Sequence, residues 1–181
     1  MAERLVILSD MWGSKKGLWI TSYLGYLQQY FDIVFYDCQQ LANITLPVDS
    51  YDNVCNEFIN GGLDTAVTHL LRRETVPSHY LAFCAGGTIA WRAHLKGLPM
   101  KSLFAVSAGR IDVENLKPNC PVSLLFGAYD AYVPSNEWIT RLGIDVEVVP
   151  GFGHELYTDE KIIKKVCQNL LGAVIQKQYQ V

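Results

Sequence analysis

Cys84, Asp130 and His154 occur in the chain order nucleophile, acid, base. A thiol at its ordinary pKa is mostly protonated, an imidazole near pKa 6.5 can take that proton, and a carboxylate can fix the imidazole tautomer. Cys84 lies in the stretch "YLAFCAGGTIAWRAH", where an apolar run ends in a small-Cys-small-Gly-Gly turn and resumes with a helical pattern. A nucleophile presented on a sharp strand-to-helix turn needs small neighbours two residues before and two after it, and here these are Ala82 and Gly86, with Gly87 beyond. The backbone N–H of Ala85 would then open the following helix and face a developing oxyanion. A second donor is expected from the loop after the first strand, at Met11 or Trp12. Together these parts describe acyl transfer.

Six short apolar runs, at 5–8, 33–36, 80–84, 103–106, 122–126 and 146–149, have strand length and do not alternate, which suits strands covered on both faces. Helical patterns separate them. Trp19, Ile20, Tyr23, Leu24, Leu27, Tyr30 and Phe31 fall on one helix face, and 52–74 reads as a second helix with a weak point at Gly61-Gly62. Residues 88–96 form a third, and Ile162, Ile163, Val166, Cys167, Leu170, Leu171, Val174 and Ile175 form the buried stripe of a last helix. The pattern predicts an α/β fold, a doubly wound and mostly parallel sheet of about six strands with helices on both faces. Ligands bind beyond the carboxyl ends of such strands, where "SDMWG", "DCQQ", "CAGG", "SAGR", "GAYDAYVP" and "PGFGHE" stand. Three of these ends carry the Cys, the Asp and the His.

The 181 residues suit one domain, 1–181, with a substantial core. Half the residues are apolar, 18% are charged and the net charge is -3, a composition that argues against a nucleic-acid or anionic-membrane surface. "MAERLVILSDMWG" reads as neither a secretory signal nor a spanning helix, and a cytoplasmic location is expected. Five widely spaced cysteines without a C-x-x-C argue against a zinc site or a disulfide framework. Neither G-x-G-x-x-G nor Gly-Lys-Ser/Thr follows the first strand, so Asp37 alone makes a weak nucleotide site. His69, His79 and His94 read as structural or surface residues.

The chain resembles the α/β-hydrolases, and among them the dienelactone hydrolase group. "FCAGG" is similar to that group's aromatic-Cys-x-Gly-Gly elbow, "GAYDAYVP" to its Gly-x-x-Asp-x-x-Val-Pro acid loop, "GFGHE" to its Gly-His loop and "SDMWG" to its turn after the first strand. The resemblance implies Cys84 as nucleophile, His154 as base, Asp130 as its orienting acid, and the N–H groups of Met11 and Ala85 as the oxyanion hole. It further implies that Asp10, where the group has a Glu, contacts the resting thiol and helps form the thiolate. The chain departs from the pattern in having Ala82 where Gly is usual and no arginine after His154; Arg92 and Arg110 are the nearest cations in sequence. It begins with the strand that is normally third, and 110–119 leaves no room for a lid domain, so a minimal, lidless fold with an open, shallow site is expected.

These features predict a small hydrolase that needs neither cofactor nor metal and cleaves an ester, lactone or thioester through Cys84. Trp12, Tyr129, Phe152 and Tyr157 are candidates for the substrate pocket. The expected partner is a small-molecule acyl substrate, not a nucleic acid or a membrane; oligomeric state is not read from the sequence. Two other readings stand beside it: a catalytically inactive α/β-hydrolase-fold binding module, and an acyltransferase that passes the acyl group from Cys84 to a thiol or amine.

Overall fold

The computed structural model describes residues 2–178, with side chains described through Val174. In chain order the elements are β1 (Glu3–Leu8), α1 (Ile20–Leu27), β2 (Phe31–Tyr36), α2 (Cys38–Leu41), α3 (Tyr51–Glu57), α4 (Leu63–Arg73), β3 (Ser78–Phe83), α5 (Ala85–Leu95), β4 (Met100–Val106), β5 (Val122–Gly127), α6 (Asn136–Leu142), β6 (Val146–Val149) and α7 (Glu160–Gln178). The six strands form one parallel sheet in the order β2-β1-β3-β4-β5-β6. All six apolar runs are strands, most of them extended by residues outside the run, among them Glu3, Arg4, Asp32 and Lys101.

Alternate residues of each strand point to opposite faces, and in the inner strands β1, β3 and β4 both faces are buried. Val6, Leu8, Tyr80 and Ala82 join a core with α2 to α6, through Val54, Leu70, Ile89, Trp91 and Trp138. Leu5, Ile7, Leu81 and Phe83 join the other, with α1 and α7, through Tyr23, Leu27, Ile162, Val166 and Leu170. Two buried faces leave no place for alternation, which is why the runs are continuously apolar. Of the stripe on α7, Ile175 has a side chain outside the described residues. Among the described residues no helix is long and apolar enough to cross a membrane.

The chain runs from β1 outward to β2 and returns to place β3 on the other side of β1. This reversal opens a crevice between the carboxyl ends of β1 and β3, and brings the loop beginning at Ser9 beside the turn at Cys84.

Three helical expectations are corrected. The helix expected over 52–74 is broken: α3 passes into a π-type turn, Phe58–Gly62, in which Asn60 leaves the helical region and Gly61 takes φ 118°. A residue with a side chain resists that conformation, so the glycine fixes the kink. The first helix is shorter than its apolar face, because Phe31 already pairs with Glu3 in the sheet. An additional helix, α6, starts at Ser135, whose side chain accepts from the Trp138 N–H, and stops at Gly143 with φ 59°.

Candidate active site

Cys84 sits between β3 and α5 with φ 47° and ψ -118°, a conformation costly for a non-glycine residue. Its N–H donates to the Val106 carbonyl at 3.0 Å, and its carbonyl accepts from Gly87 at 3.0 Å and Gly109 at 3.3 Å. The two glycines make the turn possible. A Cβ on Gly86 would stand 2.5 Å from the Ser9 carbonyl oxygen, and one on Gly87 would stand 2.8 Å from the Ala108 Cβ. Ala82, fully buried in β3, fits the position where the smaller residue is usual.

His154 lies in the loop after β6 and Asp130 in the loop after β5. The imidazole Nδ1 is 3.0 Å from Asp130 Oδ2, which leaves the other ring nitrogen to serve the Cys84 sulfur, and both side chains line one cavity. Asp130 Oδ1 accepts from the Tyr132 N–H at 2.9 Å. Burial would raise the Asp130 pKa, but the hydrogen bonds from His154, Tyr132 and Ser107 and the nearby imidazolium charge hold it below the usual carboxylate value. For His154, burial would lower the pKa; the Asp130 carboxylate and the Cys84 sulfur outweigh it and push it up to about 10. Asp130 and Cys84 thus both favour the charged form of the imidazole.

Ser107, not singled out in the sequence beyond its place in "SAGR", donates from Oγ to the His154 carbonyl at 2.6 Å and takes φ 51°. It clamps the base loop against the end of β4. Tyr132, also missed, lays its ring edge-on to His154 at 5.5 Å and shares a hydrogen bond of 3.0 Å with the Tyr51 hydroxyl. Its place two residues after Asp130 was the available signal.

A cavity of about 250 Å³ opens over Cys84 and His154. Met11 and Ala85 line its base, and neither of their N–H groups has a partner among the described residues. Its apolar wall comes from Phe58 and Ile59 of the kink after α3, from Leu63 at the start of α4 and from Val113, with Tyr51 and Cys55 of α3 beside them. Arg92 and Arg110 both reach the cavity; Arg92 is paired with Glu114 at 2.6 Å, whereas Arg110 has no ionic partner among the described residues.

Several expected roles are not met. The Trp12 N–H donates to Asp10 Oδ1 at 3.0 Å and is spent there, leaving Met11 as the donor of that loop. Asp10 itself does not hydrogen-bond the thiol: its Oδ2 accepts from the Tyr157 hydroxyl at 3.0 Å. None of the four aromatic pocket candidates lines the cavity. Trp12 lies under the Lys16 ammonium, 3.8 Å from its ring centre, Tyr129 is 79% exposed, Phe152 packs on the α1–α7 core, and Tyr157 is buried within it. Asp37 caps α2 through the N–H groups of Gln39 and Gln40. His69 and His94 bond the Leu41 and Leu98 carbonyls, and His79 the Ser102 hydroxyl. Among the described residues no three His, Cys, Asp or Glu side chains converge as a metal site requires.

No protein-family model matches the chain, and no curated protein matches it in sequence. Solved structures do. A protein of the α/β hydrolase superfamily from Xanthomonas campestris pv. campestris is 15% identical, with TM-score 0.68 over 94% of this chain and 99% of its own. A Klebsiella pneumoniae protein assigned as a dienelactone hydrolase is 16% identical, with TM-score 0.67 over 94% of this chain and 85% of its own. Mouse alpha/beta hydrolase domain-containing protein 10 is 13% identical, with TM-score 0.66 over 96% of this chain and 90% of its own. The chain has the α/β-hydrolase fold.

Proposed function

We propose that this chain is an acyl hydrolase acting on esters or thioesters through Cys84. The observation that carries the reading is His154, bonded to Asp130 at 3.0 Å and lining the same cavity as Cys84. The sulfur, its proton held by His154, attacks the substrate carbonyl carbon; a C–S bond forms and the carbonyl π pair moves onto oxygen. The Met11 and Ala85 N–H groups receive that oxyanion, aided by the N-terminus of α5. As the carbonyl re-forms, the bond to the leaving group breaks and His154 protonates the departing oxygen or sulfur. Water then attacks the thioester, giving its proton to His154, and the acid leaves as the thiol is regenerated. Esters and thioesters suit this machinery better than amides, because their leaving groups need less protonation. The apolar wall favours an acyl chain over a polar group, and Arg110 at its edge favours a substrate with negative charge.

The test is p-nitrophenolate release from p-nitrophenyl acetate near neutral pH by wild type and Cys84→Ala. Sustained release by wild type and its absence from the variant is the expected result. A burst of one equivalent without turnover would transfer the reading to an acyltransferase, and equal release by both proteins would overturn Cys84 as nucleophile.

A further inference from the structure

The geometry points to Asp10 and Tyr157 as positioning residues, a brace that aims the Met11 N–H at the carbonyl oxygen of a substrate on Cys84. The inference rests on the proposed hydrolase reading and goes beyond it by assigning the buried acid to the oxyanion hole, not to the thiol.

A peptide unit is planar, with its C=O and N–H pointing opposite ways. The unit that carries the Met11 N–H also carries the Asp10 carbonyl, and that carbonyl accepts from Ser9 Oγ at 2.9 Å and from the Gly13 N–H at 3.3 Å. The next unit is held at both ends: its Met11 carbonyl accepts from Gln39 Nε2 at 3.0 Å and its Trp12 N–H donates to Asp10 Oδ1 at 3.0 Å. Asp10 thus closes a turn around Met11 with its own side chain. The Met11 N–H, between these two held units, takes no part in the turn.

Tyr157 fixes the other end of the carboxylate. Its hydroxyl donates to Asp10 Oδ2, its ring packs against Trp19 and Phe83, and its carbonyl accepts from the Tyr23 hydroxyl at 3.0 Å. It stands three residues after His154, with the two rings edge-on at 6.2 Å. The brace therefore ties the oxyanion loop after β1 to the base loop after β6. Asp10 is 2% exposed, and burying a carboxylate there is costly. A carboxylate is the side chain that can accept from both donors at once. Neither Asp10 nor Tyr157 lines the cavity, so both act through Met11.

The test compares Tyr157→Phe, Asp10→Asn and the double variant with wild type. The readouts are kcat and KM for p-nitrophenyl acetate, the rate of Cys84 alkylation by iodoacetamide followed by mass spectrometry, and the urea unfolding midpoint. The expected result is a fall in kcat of about 10- to 100-fold, KM within about twofold, and an alkylation rate within about twofold of wild type. The double variant should lose no more than the worse single. Wild-type kcat in folded Tyr157→Phe and Asp10→Asn would overturn the brace while leaving the hydrolase reading intact. Alkylation falling in step with kcat would overturn it in favour of an acid that acts on the thiol. Wild type without Cys84-dependent turnover would remove the hydrolase reading, and the brace with it.

Discussion

His154 and Asp130 show how two buried groups set each other's charge. Burial alone would neutralise both, and the 3.0 Å hydrogen bond between them reverses that for each. Asp130→Asn should therefore return the His154 pKa from about 10 towards 6.5, as read from imidazole NMR shifts. Because the folded pKa of His154 is the higher one, the pair's contribution to stability is fully present below pH 6.5 and is lost as pH rises through about 10. The gap in unfolding midpoint between wild type and Asp130→Asn should narrow across that window. Asp10 has the same sign of pH dependence in a lower window, but as a cost of burial and not as a gain from pairing. Burial, opposed by the bonds from Tyr157 and Trp12, pushes it from 3.8 up to about 6, so wild-type stability falls as pH climbs through that interval. Asp10→Asn removes this pH dependence, so the urea unfolding midpoint of the variant should gain on that of wild type as pH rises from about 4 to about 7. A variant that gains stability while losing kcat would mark Asp10 as a functional expense.

At the scale of elements, the contact between α5 and β1 decides whether the elbow forms. Gly86 has the Ser9 carbonyl oxygen 2.5 Å and the Leu8 Cβ 2.8 Å from where a Cβ would be; the first is backbone, and the second moves only with the backbone that carries it. Gly86→Ala should cost about 2 kcal/mol or more. Gly25, in the exposed middle of α1, has nothing within 4 Å of that point. Gly25→Ala should instead stabilise by about 0.5–1 kcal/mol, because alanine loses less backbone entropy in a helix. Thermal or urea unfolding of the two variants checks both directions. The glycine pair at 86–87 was legible because its neighbours in sequence named its purpose, and Gly61 was legible as a weak point. That the chain would turn there and line the cavity of the nucleophile was not legible, since the direction of a kink depends on what α3 packs against.

For the molecule as a whole, α3, its kink and the start of α4 bring side chains to the strand ends that carry the triad. Tyr51, Phe58, Ile59, Leu63 and Val113 line a cavity of about 250 Å³ shared with Cys84. Leu63→Trp should fill part of it. The expected outcome is a kcat/KM for p-nitrophenyl octanoate that falls at least tenfold relative to that for the acetate, read from initial rates of both esters.

The strands, the order of Cys84, Asp130 and His154, and the small residues around the elbow were determined by the sequence itself, because each is written in local periodicity or in neighbours a few residues apart. Placing three strand ends on one rim then needed only a parallel sheet. The roles of Trp12, Asp10 and Tyr157 were decided by tertiary structure. The Trp12 N–H looked free in the chain and is taken up by Asp10, and Asp10 is met by Tyr157 from 147 residues away. Which donor remains free, and which aromatic ring faces the substrate, depends on hydrogen bonds and packing between segments that become neighbours only when β1 and β3 lie side by side.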